Sequence, residues 1–129
     1  MDYARLYLAL GAAGSGISVV LGAFAAHTLK GRLDVATLGT FQTAVLYQFV
    51  HSLALCLLAL WLRQLGRPVM VGDPAVTAGI AFIVGICCFS GSLYGLALGA
   101  PRWLGPITPL GGLAFIIGWA AFAWSAWRN

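Results

Sequence analysis

Residues 35–62, VATLGTFQTAVLYQFVHSLALCLLALWL, carry no charged side chain. Wound as one helix at about 1.5 Å per residue, they outreach a hydrocarbon core about 30 Å thick. The same reading applies on either side, at Leu6–Leu29, Pro74–Pro101 and Trp103–Trp127. Charged residues are confined to the short stretches between and beyond these runs. The pattern predicts an all-α integral membrane protein: one domain over residues 1–129, a four-transmembrane-helix antiparallel bundle with spans near 6–26, 41–62, 75–99 and 107–127.

Composition leaves room for nothing else. The chain has 129 residues, of which 61% are hydrophobic, and no stretch is polar enough to form a separate soluble domain. Arg5, Lys30, Arg32, Arg63, Arg67, Arg102 and Arg128 outnumber Asp2, Asp34 and Asp73, a formal net charge of +4. The basic residues are dispersed, so they read as headgroup contacts and topology signals, and no nucleic-acid partner is expected. Cys56, Cys87 and Cys88 all lie within predicted spans and lack the loop spacing of a disulfide framework, so they read as small packing residues. Arg5 followed by an apolar run looks like a secretory signal, but the run is too long for a signal core and reads as a retained first span.

Start signals set the helix boundaries. Asp34 precedes the second helix, Asp73-Pro74 is a cap followed by proline at the first helical position, and Thr108-Pro109 offers a second such start for the fourth helix. Short connections make the helices sequentially antiparallel. Arg5, Arg63, Arg67 and Arg128 then share the side of the termini, against Lys30, Arg32 and Arg102 opposite, which predicts both termini in the cytoplasm.

Small residues recur at helical spacing: Gly11, Ser15, Ser18 and Gly22 in the first span, Ala81, Gly85, Cys88 and Ser92 in the third, Gly111, Ala114, Gly118 and Ser125 in the fourth. Such stripes let backbones approach in lipid, where apolar burial gives no drive between helices. Tyr3, Tyr7, Trp61, Trp103, Trp124 and Trp127 lie near span ends, as interfacial anchors would.

The polar residues point to one pocket. At 100° per residue, Tyr47, Gln48 and His51 share a face of the second helix, and His51 lies about 15 Å below an entry near Phe41. The third helix runs the other way and brings a face of Cys87, Ser90, Gly91 and Tyr94 to matching depth. His27 and Thr108 sit above the same half, with Lys30, Arg32 and Arg102. These ten positions, His27, Lys30, Arg32, Tyr47, Gln48, His51, Ser90, Tyr94, Arg102 and Thr108, are the candidate ligand- or partner-binding residues of a pocket between the second and third helices. It should open toward the loop between the first two helices and close toward the termini.

What is missing narrows the function. No carboxylate lies in a membrane core, and there is no phosphate-binding loop, zinc spacing or Cys-x-x-Cys. An enzyme is not expected, nor a metal or cofactor. The leading expectation is a non-enzymatic membrane module that binds membrane lipid, a small ligand or a partner protein and forms a homo-oligomer or joins a larger complex. The alternative is a small-solute or proton-linked transporter in which His51 titrates.

Two groups of motifs carry a family resemblance. One is Gly22-Ala23-Phe24-Ala25-Ala26-His27 with the Phe41–Leu55 stretch; the other is Phe89-Ser90-Gly91-Ser92-Leu93-Tyr94 with Gly105-Pro106-Ile107-Thr108-Pro109-Leu110-Gly111-Gly112. Over nearly its whole length the chain resembles the small four-helix membrane proteins grouped as domain of unknown function 423, the YgdD-like and transmembrane protein 256 family. The resemblance implies a bacterial inner (plasma) membrane or an organelle membrane, and it implies no particular activity. Ala25 departs from the glycine the family often carries there.

Overall fold

A computed structural model describes residues 1–129 and consists of helices and short connections. Four helices are long and apolar enough to cross a membrane. We label them α1 (Tyr3–Leu29), α2 (Val35–Leu65), α3 (Pro74–Ala97) and α4 (Ile107–Arg128).

The three carboxylates of the chain all act as helix N-caps. Asp2 accepts from the Arg5 N–H, Asp34 from Thr37 and Asp73 from Ala75, each placing negative charge where the helix exposes unpaired N–H groups. The Asp34 and Asp73-Pro74 starts expected from sequence are therefore present. The Thr108-Pro109 start is not: α4 begins at Ile107 after Pro106 without a side-chain cap, and the Thr108 hydroxyl turns sideways to bond Ser92 of α3. At the other end of α2, Gly66 adopts a left-handed conformation with φ of +60°, which ends the helix.

Two helices contain a π turn, at Ala25–Leu29 in α1 and Ile86–Ser90 in α3. The α3 turn shifts every later residue around the helix axis. Ser90 and Tyr94 consequently face inward while Cys87 and Gly91 are exposed, which splits the single face expected from a uniform 100° step. Cys87 is thus not the packing residue that its neighbourhood suggested.

The inner pair is α2 and α3, with 44% of each apolar window buried against 17% for α1 and α4. α1 lies along α2, and α4 lies along α3. Glycines determine how closely they pack. Gly11 and Gly14 of α1 meet Ser52 and Cys56 of α2, and Gly79 of α3 receives the Tyr7 ring of α1. Between α3 and α4 the contacts alternate: Phe82 on Gly118, Phe115 on Gly85 and Phe89 on Gly111. The Phe82 and Phe115 rings, and the main chain at Phe89, gain dispersion contact with backbone that any side chain would hold away.

The half nearer the termini is filled by Tyr7, Leu55, Leu58, Leu62 and Phe82. Tyr7 was expected at the interface; instead it is 1% exposed and donates to the Val76 carbonyl at 2.7 Å. Trp61 is likewise drawn inward, its indole N–H donating to Ser125 at 3.0 Å.

At the terminal face Asp73 joins the α2–α3 connection to the end of α4, through Arg67 at 2.9 Å and Arg128 at 3.2 Å. Burial pushes the Asp73 carboxyl up, but the Ala75 N–H and the two guanidinium groups hold it below its ordinary value of 3.8. A group depressed in the folded state stabilises above its unfolded pKa and loses that contribution as pH falls through the folded value. Asp73→Asn preserves a capping side chain and removes the charge. We expect it to weaken this tie by about 1 kcal/mol, since both arginines are partly exposed. Amide exchange should then speed up over the last turn of α4, as it should in the wild type below the folded pKa. Unchanged exchange there would contradict the tie.

Candidate functional site

The buried polar side chains divide into those that tie helices together and those that border open space. Gln48 belongs to the first group. Its Nε2 donates to the Gly14 carbonyl of α1 at 3.0 Å, and its Oε1 accepts from the Tyr94 hydroxyl of α3 at 2.7 Å. One amide thus joins three helices, meeting the requirement that polar groups in lipid find partners within the protein. Ser90, turned inward after the π turn, donates to the Ala44 carbonyl at 2.8 Å. Thr108 and Ser92 close the matching contact between α4 and α3.

His51 is 4% exposed. Its Nδ1 lies 2.7 Å from the Tyr47 carbonyl, which can only accept, so Nδ1 carries the hydrogen. Nε2 is then the acceptor for the Trp119 indole N–H of α4, at 3.2 Å. The imidazole also stacks on Phe115, with centroids 3.5 Å apart and planes 11° apart. Both ring nitrogens are occupied, which leaves no lone pair for a metal ion or an incoming proton in this arrangement.

Open space lies beside this cluster. α2 and α4 meet through the His51, Phe115 and Trp119 side chains, and on the lipid side of that contact they leave a groove of about 750 Å³. Tyr47 and Val50 line it from α2, Gly112 and Leu113 from α4, and Phe89 from α3, while Trp119 and His51 border it. The lining is mostly hydrophobic. Tyr47, 39% exposed, packs its ring against Phe89 at 4.5 Å between centroids, and its hydroxyl makes no hydrogen bond within the chain.

The polar pocket expected between α2 and α3 is therefore replaced by two features. Gln48, Ser90 and Tyr94 close the α2–α3 contact with hydrogen bonds, and the cavity opens between α2 and α4 with an apolar lining. Of the ten candidate positions, the groove brings together Tyr47 and His51. His27, Lys30, Arg32 and Arg102 are exposed around the two connections at the other end of the bundle, and none forms an ion pair. The one carboxylate there, Asp34, is held by the Thr37 N–H and hydroxyl, both at 2.8 Å, which keeps it below its usual range.

Phe89, Phe115 and Trp119 were absent from the expected site. One signal was available: an indole N–H in mid-span, away from the interface, must find an acceptor. His51 is the acceptor it finds. Gly14 carries no such signal, because its contribution is a backbone carbonyl.

Comparison with known proteins places this architecture. The family described as "Protein of unknown function (DUF423)" matches residues 21–112, a stretch that takes in Tyr47, His51, Phe89 and Gly112. The chain is 41% identical over 94 residues to the UPF0382 membrane protein YwdK of Bacillus subtilis, covering 73% of each. It is 34% identical over 94 residues to the UPF0382 inner membrane protein YgdD of Escherichia coli, covering 73% of this chain and 68% of that one. A UPF0382 membrane protein of Haemophilus influenzae is 36% identical over 91 residues, covering 70% of this chain and 68% of its own. No solved structure matches. The family match over residues 21–112 and these relatives make the chain, with its four apolar membrane-spanning helices, a member of the DUF423 family of membrane proteins of unknown function.

Proposed function

We propose that this protein is a non-enzymatic membrane module whose working site is the groove between α2 and α4, where it holds a hydrocarbon-soluble ligand taken sideways from the bilayer. The observation that carries the reading is the groove itself: about 750 Å³, mostly apolar, and bordered by aromatic rings that packing already holds in place. The hydrogen-bonded ties at Gln48, Ser90 and Thr108 act as the scaffold that fixes its walls. Lys30, Arg32 and Arg102 favour anionic headgroups at their end of the bundle.

A transporter using His51 has less support. Both imidazole nitrogens are engaged, and Tyr7, Leu55, Leu58 and Phe82 fill the half toward the termini, so a solute would have no polar path. The name of the Escherichia coli relative and the four arginines on the terminal side support a bacterial inner membrane with both termini in the cytoplasm. Self-association, or membership of a larger complex, fits the small size of the chain.

The reading is tested by photocrosslinking in native membranes. A photoreactive residue at Leu113, in the groove, should capture one discrete species, whereas the same residue at Leu110, which is 63% exposed on the α4 surface, should capture the bulk lipid mixture. Bulk lipid at both positions would make the groove ordinary lipid-facing surface.

A further inference from the structure

We infer that the ligand of this groove is a quinone-class molecule: a flat conjugated ring bearing carbonyl oxygens, on a lipid-soluble tail. The inference rests on the groove reading above and adds the chemistry of its occupant.

The hydrogen-bonding capacity of the groove is the first reason. His51 and Trp119 satisfy each other, and the second His51 nitrogen is bonded to the Tyr47 carbonyl. Tyr47 remains: it lines the groove, and its hydroxyl has no partner in the chain. In hydrocarbon an unpaired hydroxyl is unfavourable, so the site favours a ligand that brings an acceptor.

Depth decides which acceptor can arrive. Counted from the entry near Phe41, six residues of helix put Tyr47 about 9 Å into the core, roughly 6 Å from the bilayer centre, while lipid ester carbonyls lie about 15 Å from that centre, half the core thickness. Even at the full reach of the phenol, the hydroxyl stays below those esters. The acceptor must therefore sit on a molecule whose polar group is itself soluble in the hydrocarbon core, and a quinone ring meets that requirement.

Shape gives the third reason. Tyr47, Phe89, Phe115 and Trp119 all contribute aromatic surface to the groove, and the Tyr47–Phe89 and His51–Phe115 contacts hold their rings in place. Aromatic walls favour offset or edge contacts with a flat π-system over a flexible acyl chain. The volume falls within the range of small-molecule sites, about 300–1,000 Å³.

The test uses the whole protein in lipid nanodiscs, titrated with a short-tailed ubiquinone and a short-tailed menaquinone while tryptophan fluorescence is read. We expect saturable quenching by at least one of them. Tyr47→Phe, which keeps the ring and removes the hydroxyl, should weaken the apparent affinity about 5- to 10-fold, the usual effect of one hydrogen bond, while its thermal midpoint matches the wild type. An isoprenoid hydrocarbon with the same tail and no ring should fail to compete. Non-saturable quenching, equal affinity in Tyr47→Phe, or competition by the tail alone would each overturn the inference. A discrete acyl lipid captured at Leu113 without saturable quinone quenching would overturn the ligand class and leave the groove standing; bulk lipid at Leu113 would remove both.

Discussion

Gly111→Ala should break the α3–α4 interface. A Cβ at this position would land on the Phe89 backbone nitrogen, with the Phe89 Cα and Cβ each at 2.8 Å. Flexible side chains can rotate away from an added methyl group, but here the obstacle is the main chain of a helix. The two helices must separate, and the neighbouring contacts of Phe115 on Gly85 and Phe82 on Gly118 open with them. Overpacking a core typically costs about 1–3 kcal/mol, and three linked contacts put the expected loss at the top of that range. In lipid, no hydrophobic drive between helices offsets it. Reversible unfolding in mixed micelles measures the loss directly. A variant as stable as the wild type would show that α3 and α4 do not approach this closely.

The next residue should behave in the opposite way. Gly112 looks into the groove, and a Cβ there meets only the Phe89 ring, at 3.8 Å and 4.0 Å. Gly112→Leu should therefore fold, with a helix-propensity gain of roughly 0.5–1 kcal/mol over glycine. Its side chain would occupy the space between Tyr47 and Leu113 that we assign to the ligand. Adjacent glycines thus have opposite roles: Gly111 keeps the walls together, and Gly112 keeps the space between them open.

Much of this architecture is legible in the sequence, for reasons that differ from feature to feature. The spans follow from charge-free length alone, and Asp34 and Asp73-Pro74 mark helix starts because a carboxylate is the natural partner for unpaired N–H groups. The facing of Gln48 and Ser90 toward α3 and α2 followed from depth and antiparallel direction. The α4 start was misread because the Thr108 hydroxyl has a tertiary partner in Ser92, and local sequence does not show tertiary partners. Cys87 and Gly91 were placed on the wrong face because a uniform helical step does not survive the π turn at Ile86–Ser90.

The site was only half legible for a related reason. Spacing shows that His51 lies on an inward face and that glycines permit close approach, but it does not show which helix arrives. The pocket was expected between sequence neighbours α2 and α3. Those two helices pack so closely around Gln48, Ser90 and Tyr94 that the open space lies beyond them, beside α4, and Trp119 rather than an α3 residue becomes the partner of His51.

Native mass spectrometry of the protein released from nanodiscs of natural lipid, run on wild type, Gly112→Ala and Gly112→Leu, tests the groove most directly. Wild type and Gly112→Ala should carry the same discrete adduct, and Gly112→Leu should be bare but folded. An adduct retained by Gly112→Leu, or a wild type that carries none, would contradict binding in the groove.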